Sequence, residues 1–84
     1  MKITLLITTF NSISQSYYTI LKNKDFAVDI VYAINEKQMI DEIKQFDPDI
    51  IICPFLKKFV PKEIFTTYPT FILHPGIIGD KGAY

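Results

Sequence analysis

The sequence contains no arginine, no tryptophan, one histidine, one cysteine and three glycines. Nine lysines carry all of its positive side-chain charge, and nine Asp and Glu residues balance them. A protein that grips a phosphate backbone needs a basic excess, and base edges are most often read by the two-pronged guanidinium. Neither is present, which argues against nucleic acid as a partner. Cys53 has no second cysteine to form a disulfide with. It sits in an apolar run and reads as a reduced, packed thiol, as expected of a cytoplasmic protein. One histidine and one cysteine fall short of the ligand set of a zinc site, so no metal centre is expected. Long hydrophobic runs are missing as well. No stretch approaches the ~20 apolar residues of a membrane span. The opening MKITLLITTF is too short for a signal peptide and lacks a small-residue cleavage site.

What is present is a short chain rich in apolar residues. Hydrophobic residues make up 49% of the 84 positions, which is a globular composition on the scale of one small domain. Four apolar runs, at 2–8, 26–33, 50–53 and 70–74, alternate with polar segments. Their Ile, Val, Phe and Thr content fits strands buried on both faces. Ser12 followed by Gln15, and Asn35 followed by Gln38, are capping-box patterns that open helices at about Ser12 to Asn23 and Glu36 to Phe46. Ile13, Tyr17, Ile20 and Leu21 recur at helical spacing in the first. Met39, Ile40, Ile43 and Phe46 form the stripe of the second, and Asp47-Pro48-Asp49 stops it. Pro61 suits the start of a short third helix ending near Phe65.

The pattern β-α-β-α-β-α-β predicts an α/β fold: a Rossmann-like, three-layer parallel sheet. Right-handed crossovers and the simplest connections give the strand order 2-1-3-4. Ligands of such sheets sit outside the carboxyl ends of the strands, where the strand order reverses, here between strands 1 and 3. The segments found there are TFNSIS, PFLKKFVP and HPGIIGDKG. His74 ends the fourth strand and can serve as acid, base or electrostatic donor near neutral pH. The same residue can equally be a partly buried histidine satisfied by backbone groups. Gly76, Gly79 and Gly82 permit close approach of backbone to a ligand, but their spacing is neither a dinucleotide fingerprint nor a P-loop. Asn11, Ser12 and Ser14 can receive an anion at a helix start or simply cap it. Lys57 and Lys58 follow a strand end and can lie beside a ligand.

Three motifs together carry a family resemblance. TFNSISQ after the first strand, PFLK followed by Val60-Pro61, and HPGIIGDKG after the fourth strand resemble the N-terminal domain of the hydrogenase maturation factors HypX and HoxX. That domain is related to the formyltransferases that use formyltetrahydrofolate. The resemblance implies that residues 1–84 are the N-terminal part of a formyl-folate-binding domain, with 10-formyltetrahydrofolate as formyl donor. It implies that a crotonase-like domain, absent from this sequence, lies downstream. It implies a catalytic role for His74, which matches the histidine that steadies the formyl oxygen. Leu56, Lys57 and Phe59 match the stretch whose backbone lines the pterin pocket, and Gly76 and Ile77 belong to the cofactor-binding loop. Asn11 and Ser14 match the loop that faces the second reactant. Ile72 stands where the transferases have an asparagine, and their catalytic aspartate lies past residue 84. Ordinary formyl transfer to an amine is therefore not implied. The implied chemistry is release of the formyl carbon as carbon monoxide, a ligand for [NiFe]-hydrogenase.

Another reading stays open: a small α/β binding or oligomerisation module without catalysis. The fourth strand is an apolar edge, and natural sheets cover or blunt such edges. A partner copy pairing along 70–74 is one way to cover it.

Overall fold

A computed structural model describes residues 1–54 and 60–73. The described chain runs β1 (Lys2–Ile7), α1 (Ser12–Asn23), β2 (Ala27–Tyr32), α2 (Glu36–Phe46), β3 (Ile50–Cys53), α3 (Lys62–Thr67) and β4 (Thr70–Ile72). The four strands form one sheet in the order β2-β1-β3-β4, and every pairing is parallel. This is the α/β fold and strand order expected from the sequence.

The register explains which apolar residues meet. Leu6 is level with Val31, and Thr4 is level with both Asp29 and Ile51. Alternation along each strand sends these side chains to one face of the sheet. There Leu6, Val31, Ala33, Ile51 and Cys53 pack with Met39 and Ile43 of α2 and with Ile64 of α3. Ile3, Leu5 and Ile7 point to the opposite face and are almost fully buried. α1 packs against β1 and β2. One helix on one face and two on the other follow from right-handed crossovers that leave β1 first towards β2 and then back towards β3.

Helix ends are built from side chains and from left-handed backbone. Asn35 accepts a hydrogen bond from the Gln38 N–H at 3.0 Å, which is the expected cap of α2. The cap of α1 differs from the sequence expectation. It is Asn11, with extended backbone (φ −91°, ψ −174°), and Ser12 is already the first helical residue. Ile20, placed on the apolar stripe from its spacing, is 53% exposed, because the inward face of α1 runs through Ile13, Tyr17 and Leu21. Asp25 (φ 63°) turns the chain after α1, with its N–H on the Lys22 carbonyl and the Phe26 N–H on the Leu21 carbonyl. That is the Schellman arrangement, here without glycine. Asp47 (φ 53°) ends α2 in the same left-handed region, and Pro48 then prevents the helix from continuing.

β4 ends at Ile72, two residues short of the expected strand end. The ladder continues one step further, because the Leu73 N–H donates to the Cys53 carbonyl at 3.0 Å.

Candidate functional site

The strand order reverses between β1 and β3, so the carboxyl ends of those strands frame the candidate site. β1 delivers Thr8, Thr9, Phe10 and Asn11 there, and β3 delivers Cys53 and Pro54. Leu73, bonded to Cys53, places the end of β4 at the same edge.

The turn from β1 into α1 is held by one compact set of hydrogen bonds. Asn11 Oδ1 accepts from the Ser14 N–H at 3.0 Å and from the Ser14 hydroxyl at 3.1 Å. The same hydroxyl lies 3.3 Å from the Thr9 carbonyl. The Gln15 N–H donates to the Asn11 carbonyl at 2.9 Å. Phe10 meets Tyr18 edge-to-face at 6.3 Å between ring centres, which fastens the loop to the helix one to two turns along. Because a backbone N–H can only donate, the atom it meets on Asn11 is the oxygen, and the amide nitrogen is left on the other side.

Asn11 and Ser14, both expected to face a ligand, are thus brought together, but in different positions. Asn11 is half-buried, while Ser14 is fully buried behind it. The sequence signal for Ser14 was its place in a loop motif. Ser14 is buried, with the Asn11 amide oxygen and the Thr9 carbonyl beside its hydroxyl. Thr9 and Phe10, which open the TFNSISQ motif, also take part in the loop, although no role was expected of either side chain. An aromatic residue eight positions before another, across a loop–helix boundary, gives no periodic signal. His74, Leu56, Lys57, Phe59, Gly76 and Ile77 lie outside the described residues.

Cys53 also reaches this edge, but its chemistry is muted. It is fully buried, and burial pushes its thiol up to about 12. At neutral pH it is a neutral packing group and no nucleophile. Among the described residues no group of His, Cys, Asp and Glu side chains could hold a metal ion. Nor is any described helix long and apolar enough to cross a membrane. Of two shallow surface depressions, one lies along Asp29, Glu42, Gln45 and Phe46, and the other runs from Ser12 at the start of α1 along Gln15, Ser16, Thr19 and Ile20.

No family model matches the chain. It is 30% identical over 82 residues to the hydrogenase maturation factor HoxX of Bradyrhizobium diazoefficiens, a match that covers 98% of this chain and 14% of that protein. Crystal structures of HypX from Aquifex aeolicus are similar in both fold and sequence. One, a multiply substituted variant, superposes with a TM-score of 0.87 at 34% identity, covering 92% of this chain and 14% of the other. Another, in complex with tetrahydrofolic acid, gives 0.86 at 35% identity over 89% of this chain and 13% of the other. The likeness carried by the three motifs therefore extends over nearly the whole chain. The chain spans about one seventh of the length of these relatives.

Proposed function

We propose that this chain, a stretch of HypX/HoxX type, supplies the folate-binding part of a hydrogenase maturation factor. The observation that carries the reading is the tetrahydrofolate complex of a HypX that is 35% identical and superposes with a TM-score of 0.86. The cofactor at work is 10-formyltetrahydrofolate, and the product is the formyl carbon released as carbon monoxide for the iron of [NiFe]-hydrogenase. In that step the bond between the formyl carbon and N10 breaks, and the formyl hydrogen ends on nitrogen as N–H. Tetrahydrofolate and carbon monoxide then balance the starting formyl-folate with no outside oxidant or reductant.

Each residue has a role in this reading. Leu56, Lys57 and Phe59 contact the pterin through their backbone, and Gly76 and Ile77 contribute to binding the cofactor. His74 donates a hydrogen bond to the formyl oxygen. Asn11 presents its amide nitrogen to the second reactant or to the departing fragment, and Ser14 holds Asn11 in that orientation. In this reading a downstream crotonase-like domain does part of the work, the protein acts in the cytoplasm, and residues 1–84 alone are inactive. Calorimetric titration with 5-formyltetrahydrofolate, a stable formyl-folate, tests the reading on the longer protein that carries this segment. A saturable one-site heat is expected. Its absence, with the protein shown to be folded, overturns the proposal.

A second reading draws on a different observation. Phe71 and Ile72 are 53% and 47% exposed on opposite faces of β4, and no residue from Ile64 to Leu73 is charged. Under this reading the chain is a binding or oligomerisation module whose β4 edge pairs with a second copy. Sedimentation of the 84-residue chain separates the cases: a dimer dispersed by Phe71→Lys supports pairing, and a monomer rules it out.

A further inference from the structure

We draw no further inference here: the strongest candidate, the uncharged edge of β4 with Phe71 and Ile72 exposed on its two faces, belongs to the second reading just given, and nothing in the structure shows what covers it.

Discussion

Ser14 gives Asn11 two hydrogen bonds at once, from its backbone N–H at 3.0 Å and from its hydroxyl at 3.1 Å, and both end on the same oxygen. The pair therefore sets the entry angle of α1 and the direction of the Asn11 amide together. Replacing an Asn cap by Ala costs about 1 kcal/mol, and losing one buried hydroxyl hydrogen bond costs a similar amount. Asn11→Ala and Ser14→Ala should each lower the urea midpoint, and their double variant should lose less than the sum, because they share a bond. Asn11→Asp separates capping from ligand contact. It keeps the acceptor and loses the amide donor, so stability should hold while formyl-folate turnover of the longer protein falls. If turnover holds as well, Asn11 is only a cap.

Thr4 is the contrasting case of a buried hydroxyl left alone. Its Oγ1 is enclosed in the sheet and, among the described residues, has no hydrogen-bond partner. Its lateral neighbours at the same level are Asp29 and Ile51. An unpaired buried polar group costs about 1–3 kcal/mol, and a change to an apolar group of the same shape removes that cost. Thr4→Val should therefore stabilise the fold by about 1 kcal/mol, read as a higher urea midpoint at unchanged slope. Thr4→Ser, which keeps the hydroxyl and loses the methyl, should move the midpoint the other way. A valine variant no more stable than the parent would show that the hydroxyl is satisfied in solution.

These two hydroxyls mark what the sequence could and could not convey. Alternating apolar runs and cap residues are local signals, so the strands, the two long helices and the parallel order were legible. Asn11 and Ser12 are both good caps, and only the extended backbone at Asn11 decides between them. Asp25 and Asp47 adopt left-handed backbone where glycine would announce a turn, but all three glycines lie beyond residue 75. Lys2 and Asp49 form a reciprocal pair, with the Lys2 N–H on Asp49 Oδ2 and the Asp49 N–H on the Lys2 carbonyl, both at 2.8 Å. No local pattern links residues 47 positions apart. At the candidate site the motif located the loop, but only packing distinguishes Asn11, which meets solvent, from Ser14, which does not.

Tyr68 ties the end of α3 to the left-handed turn after α2, its hydroxyl donating to Asp47 Oδ1 at 3.3 Å. Burial raises the phenol above its ordinary value of 10.0, and the Asp47 carboxylate raises it further, while Lys44 acts in the opposite sense. The folded chain thus keeps the phenolic proton to higher pH than the unfolded chain does. Its contribution is fully present below pH 10.0 and is lost as pH rises above that value. Lys44, raised mainly by its hydrogen bond to Glu63, loses its contribution at alkaline pH in the same direction. The comparison with Tyr68→Phe isolates the phenol. The stability difference between parent and variant should be constant from pH 7 to about 9 and shift against the parent by about pH 11. A difference that stays flat across the whole range would mean that Tyr68 titrates alike in both states.

His74 carries the chemical part of the proposal, and it directly follows the described residues. Leu73 is bonded to Cys53 at the carboxyl edge of the sheet, beside the point where the strand order reverses. The proposed role is a hydrogen bond to the formyl oxygen, which gains negative charge as the formyl group breaks down. Removing one such donor commonly lowers turnover by ~10²–10³-fold. Under the resemblance, Ile72 stands in place of an asparagine donor, so fewer groups would share that charge, and the loss should reach at least this size. His74→Ala in the longer protein should then cut formyl-folate consumption by that factor while calorimetric folate binding is kept. His74→Gln, which retains an N–H donor, should recover part of the rate and flatten its pH profile between pH 5 and 8, where an imidazole titrates. Equal turnover in parent and His74→Ala would make the histidine a structural residue. Loss of binding together with turnover would place it in the pterin pocket, away from the formyl oxygen.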